Sequence, residues 1–292
     1  MIPLARLLPA AAALSVLATP AAARERRDGG KLLLTGGVSS VEGAAGGGLA
    51  SWAVIGGNET EDGIGGSAHA TYVALPDFDL TSYGAAIGWR DRVELTYAHQ
   101  SFDTRSAGAA LGLGRGFTFA QDVFGAKVRV LGDAVWDQDS ILPQIAIGVQ
   151  HKRADKATII HAVGGKESRG TDFYASATKV ILSRSIVLDA TVRFTKANQF
   201  GLLGFGGDRQ ANRAAQFEGS AGMLVTRKLL VGGEYRTKPD NLGFAKEDDS
   251  YDLFAAWAVG RRVAVTAAYT ALGSIATFKR QNGLFASIQG SF

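Results

Sequence analysis

The sequence predicts an all-β fold, a transmembrane antiparallel up-and-down β-barrel. Three observations predict it: segments of about ten residues that alternate in polarity, connections that alternate between tight charged turns and long polar loops, and a last segment that stops on Phe292. Composition agrees. The 292 residues include 38 glycines but only 6 prolines and 20% charged residues, a balance that suits many short strands rather than disorder or collagen. Zero cysteines exclude a disulfide framework, a thiolate metal site and a cysteine nucleophile.

Residues Met1 to Ala23 read as an export signal. Arg6 supplies the positive start, Leu7 to Ala18 the apolar stretch, and Ala21-Ala22-Ala23 a small-residue cleavage site. The apolar run is short and is interrupted by Pro9 and Pro20, so a membrane anchor fits less well. The expected division is a signal peptide over residues 1–23 and one barrel domain over residues 24–292. The formal charge of +4 falls to +3 once Arg6 is removed. Its basic residues are scattered and not interleaved with aromatics, so no nucleic-acid partner is expected. No later stretch holds 18 apolar residues in a row, which removes spanning helices from consideration.

Along the mature chain, period-two alternation dominates. Val93, Leu95, Tyr97 and His99 alternate with Glu94, Thr96, Ala98 and Gln100. Ile145, Ile147 and Val149 alternate with Gln144, Ala146 and Gly148, and Leu188, Ala190, Val192 and Phe194 with Asp189, Thr191 and Arg193. Leu229, Val231 and Tyr235 face away from Glu234 and Arg236, and Tyr251, Leu253, Ala255 and Trp257 face away from Asp252. Val263, Val265, Ala267 and Tyr269 continue the pattern. Each segment thus has one greasy face and one polar or small face. A soluble sandwich would alternate too. The connections argue for the membrane. Tight turns fall at Arg90-Asp91, Ser183-Arg184, Arg227-Lys228 and Gly260-Arg261. Between them lie long loops at Phe102 to Ala120, Arg153 to Arg169, Ala197 to Ala214, Lys238 to Ser250 and Gly273 to Asn282. Tyr97, Phe194, Tyr235, Trp257 and Tyr269 are expected near the ends of outward faces, as interfacial girdles require.

The expected strand number is about 14, with about 12 as the fallback. Glycine clusters between Gly30 and Ala74 blur the alternation there. That stretch reads either as two or three strands or as a partial luminal plug. In the last segment Leu284, Ala286, Ile288 and Phe292 share a face, which looks like the C-terminal signal read by the outer-membrane assembly machinery.

Alternation also sorts charge. Only Lys179 is expected on the lipid face, near a turn where it can snorkel. The pore-lining candidates are Glu94, Lys127, Arg129, Lys152, Asp172, Asp189, Arg193, Glu218, Glu234, Arg236 and Asp252, nearly balanced in sign. In a wide barrel they make a weakly selective passive channel for small polar solutes. If they pair across strands, they fill a closed structural or loop-binding barrel. The loop Asn198 to Asp208, with Phe200, Leu202, Leu203 and Phe205 among glycines, reads as a fold-back constriction, a substrate contact or a rim-packing loop. Lys238-Pro239-Asp240-Asn241 followed by Glu247-Asp248-Asp249 has oxygen ligands for a divalent cation but lacks EF-hand spacing.

An enzyme is the least favoured class. An outer-membrane lipid hydrolase would need a Ser/His pair, for which His99 with Ser101 or His161 with Ser168 are the candidates, and no G-x-S-x-G elbow is present. No catalytic residue, metal or cofactor is assigned. The expected location is the bacterial outer membrane after export, with outer-membrane lipid and lipopolysaccharide as surroundings.

Four stretches carry a family resemblance: Leu32 to Gly57, Gly114 to Ser140, Thr195 to Asp208 (TKANQFGLLGFGGD) and Tyr235 to Asp249 (YRTKPDNLGFAKEDD). They resemble an uncharacterised proteobacterial family of outer-membrane β-barrel proteins catalogued as a domain of unknown function. The resemblance spans nearly the whole mature chain and implies a barrel. It implies no functional residues.

Overall fold

The computed structural model describes residues 31–292, so the leader at residues 1–23 lies outside the described residues. Two very short strands, β1 (Val38–Ser39) and β2 (Ala45–Gly46), pair only with each other. Twelve longer strands follow: β3 (Ile64–Ala74), β4 (Asp79–Trp89), β5 (Val93–Asp103), β6 (Thr118–Leu131), β7 (Gln144–Ala154), β8 (Arg169–Ile181), β9 (Ile186–Thr195), β10 (Ala214–Thr226), β11 (Leu229–Arg236), β12 (Ser250–Ala258), β13 (Val263–Ala271) and β14 (Asn282–Ser291). Each is antiparallel to its chain neighbour, and β14 closes the ring against β3 through Leu284↔Ala74 to Ser291↔Ser67. Closure gives every strand two partners and leaves no edge, as a sheet in hydrocarbon requires.

The barrel therefore has 12 strands, the fallback, and the expectation of about 14 is corrected. The surplus came from the glycine-rich stretch. Residues 38–56 are buried throughout and lie inside the lumen, so they contribute no barrel strand. Of the two readings of Gly30 to Ala74, the partial plug is the one observed: residues 38–56 fill the lumen, and residues 64–74 form the barrel strand β3.

The four tight turns and five long loops fall where the spacing put them, at opposite ends of the barrel. Two connections break the rule. The β3–β4 turn at residues 75–78 is short yet sits at the loop end, and the β6–β7 connection at residues 132–143 is long yet sits at the turn end. The latter folds under the sheet, where Val180 N–H donates to Ala134 O at 2.8 Å.

Outward faces are apolar. Leu95, Ile147, Phe173, Leu253 and Leu284 are exposed on the outside, while their strand neighbours are turned inward. Phe194, Phe217, Tyr235, Tyr251 and Tyr269 gather toward the loop end, and Trp89 and Trp257 at the turn end. Tyr97 lies nearer mid-strand than expected. Lys179 points outward and snorkels to the 132–143 connection, donating to Leu142 O at 3.1 Å and to Asp137 O. It is not the sole outward charge, which corrects the sequence reading. Asp122 and Arg153 also face out. Asp122 accepts from Tyr97 Oη at 2.9 Å and lies 2.9 Å from His99 Nδ1, and Arg153 covers the Phe124 ring at 5.8 Å. These polar groups are close to the loop ends of β5, β6 and β7, where the bilayer gives way to headgroups.

Inside, the plug supplies half of a core. Leu34, Val38, Leu49, Trp52 and Val54 pack with the inward side chains Val180, Val187, Leu230, Phe254, Ala256 and Phe285. This apolar layer was not anticipated. Trp52 is 2% exposed, and its indole N–H donates to Ser220 Oγ at 2.9 Å.

Two substitutions test the two faces. Leu253→Arg puts a cation at mid-height on the lipid side and is expected to cost about 2–4 kcal/mol. Trp52→Ala empties the plug core and removes the indole donor to Ser220, and is expected to cost about 3–5 kcal/mol. Urea unfolding of the bilayer-embedded protein, followed by heat-modifiable gel mobility, reads both. A loss below 1 kcal/mol (about fivefold) at either position contradicts the assignment of that face.

Candidate functional site

The lumen is the site. Strand parity aims ten of the eleven charged candidates into it, and Arg129 stands at its turn-end rim. There Arg129 meets Asp91 at 3.0 Å, Asp133 at 3.3 Å and Glu61 at 3.6 Å. The other ten do not line free space. Seven of them touch the plug and the remaining three stand behind or beside those seven.

The upper layer is built around Glu42, at the tip of the plug. Its carboxylate meets Lys152, Arg236 Nη1 at 2.9 Å and Arg193 Nη2 at 3.7 Å. Asp172 and Glu218 complete the layer: Lys152 Nζ lies 2.8 Å from Asp172, Arg193 Nε bonds Glu218, and Arg236 Nε lies 3.3 Å from Glu218. Three acids thus face three bases in a volume closed to water. Each cation is further satisfied by neutral acceptors. Arg193 donates to Gln150 Oε1 at 2.6 Å and to Ser51 Oγ at 3.0 Å, with its guanidinium 4.8 Å from the Tyr174 ring. Arg236 also donates to Leu49 O at 2.9 Å. Glu42 is the single charged residue between Lys31 and Glu59, and that isolation in a Gly/Ala/Ser-rich stretch is the sequence signal that marks it.

The lower layer binds the plug backbone directly. Glu94 accepts from Ala45 N–H at 3.3 Å and Gly56 N–H at 2.6 Å. Lys127 pairs with Glu94 at 3.1 Å and donates to Ala45 O at 3.2 Å and Trp52 O at 3.0 Å. Glu234 accepts from Leu49 N–H at 2.7 Å, and Glu218 of the upper layer also reaches the plug backbone, accepting from Ser51 N–H at 3.0 Å. Asp189 is held by Thr178 Oγ1 at 2.5 Å, and Asp252 lies opposite Glu234 in the β11–β12 register. Uncharged wall residues of the same parity finish the cradle. Ser82 and Gln100 both donate to Val41 O at 2.7 Å, Ser176 and Thr191 both donate to Ser51 O, and Gln144 donates to Ala53 O. The fit is close enough to require glycine. A Cβ at Gly47 would stand 1.8 Å from Glu234 Oε1, and one at Gly46 would stand 2.1 Å from Ala50 O.

Above the plug, the β9–β10 loop folds inward as a second closure, so the constriction reading fits it best. Phe200 O accepts from Gln121 Nε2 and Lys152 Nζ, both at 3.2 Å, and its ring lies 4.5 Å from the Arg236 guanidinium. Phe205 is fully buried and bridges the β7–β8 loop through Glu167. The acids proposed for a cation are dispersed over separate partners. Glu247 accepts from Gln199 N–H at 2.9 Å, Asp240 pairs with Arg209 at 2.6 Å, and Asp249 accepts from Tyr235 Oη. Among the described residues no cluster with metal-ligand geometry occurs. Nor are the Ser/His pairs formed: His99 bonds Asp122, and His161 Nδ1 lies 3.0 Å from Gly165 O.

With this geometry in view, the chain belongs to the family described as "Protein of unknown function (DUF3034)", which matches residues 35–289. No curated protein matches it. Its fold is that of outer-membrane porins. The KdgM porin aligns at TM-score 0.50 and 8% identity over 77% of this chain and 99% of that one. The NanC porin aligns at TM-score 0.50 and 8% identity over 78% and 98%. The COG4313 outer membrane channel from Pseudomonas putida F1 aligns at TM-score 0.50 and 11% identity over 81% and 97%. The protein is an outer-membrane β-barrel of porin-like fold.

Two outcomes are expected. Glu42→Ala removes the acid that three cations share, and breaking such a buried pair costs about 3–5 kcal/mol. Amide exchange across residues 40–52 should accelerate while the barrel strands stay protected, and unchanged exchange contradicts the hub role. In the loops, burial pushes the Glu247 carboxyl up to about 7 against the pull of Lys238 and the Gln199 amide. A raised value means the packed loop favours the protonated acid. Its stabilising contribution is complete below the ordinary glutamate range and is lost as pH rises through about 7. Amide protection across the β11–β12 loop, residues 237–249, corrected for intrinsic exchange, should fall as pH rises from 4.5 to about 7, and Glu247→Gln should flatten the change.

Proposed function

We propose that the protein is an outer-membrane channel for small polar solutes whose own N-terminal segment closes the lumen at rest. One observation carries the reading. Residues 38–56 fill the lumen but join no barrel strand: their backbone bonds run within the segment, and the wall reaches them with side chains. A segment attached in this way can leave without unzipping the sheet. The wall it uncovers carries acids and bases in near balance, which supports diffusion of small polar solutes with weak charge selectivity. The reading assigns no catalysis. It includes export through the leader at residues 1–23, surroundings of outer-membrane lipid and lipopolysaccharide, and recognition of β14 with Phe292 by the assembly machinery.

A second reading, a closed structural or loop-binding barrel, draws support from the inward Phe200 loop, which adds a second obstruction above the plug. Planar-bilayer recording separates the two. The intact protein should show rare, small steps, and both Glu42→Ala and a variant lacking residues 32–57 should show frequent, larger ones. Gel mobility of the folded barrel serves as the control. If folded variants lacking the plug contacts give no discrete steps, the channel reading fails and the closed barrel stands.

A further inference from the structure

The loop end of the barrel holds a cavity that the plugged lumen does not account for. It measures about 130 Å³, and its walls come from every loop-end connection. Phe102 and Phe119 enter it from the inward faces of β5 and β6, Phe78 from the β3–β4 turn, Phe200 and Leu203 from the β9–β10 loop, and Phe244 from the β11–β12 loop. Phe78 and Phe102 are stacked with ring centroids 5.0 Å apart, so the aromatic wall is braced. Because Phe102 and Phe119 are buried and turned toward the barrel axis, the cavity belongs to the mouth of the barrel and not to its lipid-facing side.

Its chemistry is one-sided. Among the described residues no charged one lines it, and its two polar side chains each donate a hydrogen bond within the protein. Thr104 Oγ1 donates to Phe117 O at 2.7 Å, and Gln199 Nε2 donates to Ser274 O at 2.9 Å. A polar molecule entering here would lose its water and gain few partners in return, which costs free energy. An apolar one would lose only unfavourable hydration. Size narrows the class further, because an apolar cavity of about 150 Å³ lined by leucine, isoleucine and phenylalanine stays dry and takes up benzene.

We propose that this cavity is a binding site for a free, uncharged hydrophobic molecule of single-ring size, arriving from the side of the long loops. The site is complete with the plug in place, so binding is read on the closed protein without any conductance measurement.

Methyl-labelled protein in lipid nanodiscs, titrated with toluene, tests the site. Methyl signals of Leu202, Leu203 and Ile275 line the cavity and should shift saturably. Those of Leu253 and Leu284 face lipid and should shift only in proportion to toluene dissolved in the bilayer. Leu203→Trp fills the space and should weaken the saturable response at least about tenfold, or about 1.4 kcal/mol, in a barrel whose gel mobility is unchanged. Lining methyls that move only in proportion to Leu253 overturn the proposal, as does a saturable response that survives Leu203→Trp undiminished. Because the protein titrated has Glu42 and its plug intact, failure here leaves the channel reading untouched.

Discussion

The structure depends on how the backbone of residues 38–56 is satisfied inside a closed sheet. A barrel consumes its own amides in its ladder and has none to spare for a segment in its lumen. Buried N–H and C=O groups must nevertheless be paired. The solution is a wall whose inward side chains act as hydrogen-bonding groups for someone else's backbone. Glu94, Glu218 and Glu234 accept from plug amides, while Lys127, Arg236, Gln100 and Gln144 donate to plug carbonyls. Carboxylates suit the first task because each presents two acceptor oxygens and no donor.

That arrangement explains the charge pattern better than an open pore does. A hydrated channel tolerates unpaired luminal charge, whereas a filled one must pair it or neutralise it. Lys152, Arg193 and Arg236 would be three clustered cations without the plug, opposed by Asp172 and Glu218 alone. Glu42 restores the balance from the plug side. The plug is therefore an electrostatic component of the barrel as well as a steric one. The lower apolar layer around Trp52 supplies the non-directional part of the attachment, and the polar layer above fixes its register.

Much of this was legible in the sequence, for a physical reason. Strand periodicity is exact at two, so a charge such as Arg193 or Glu234 declares its face once its strand is recognised. The same rule exposed the lipid side through Leu253 and Trp257. It was silent wherever period two was absent. Gly36 to Gly57 has no alternation because its residues pack on all sides, and glycine at 46 and 47 reflects close approach to Ala50 and Glu234, not strand formation. Counting that stretch as strands inflated the barrel. The outward Asp122 and Arg153 were missed because polarity alone cannot separate lumen from headgroup region near a strand end. Glu42 was passed over because its partners lie 110 to 194 residues away along the chain.

Solvent access to the plug interior reports whether residues 38–56 lie in the lumen, and the absence of native cysteine makes the readout clean. Ser51 is fully buried between Arg193, Ser176 and Thr191. Ser51→Cys, purified and embedded in bilayers, should resist a hydrophilic maleimide until the barrel is unfolded. Labelling of the folded protein as fast as of the unfolded chain would show that the segment lies outside the lumen.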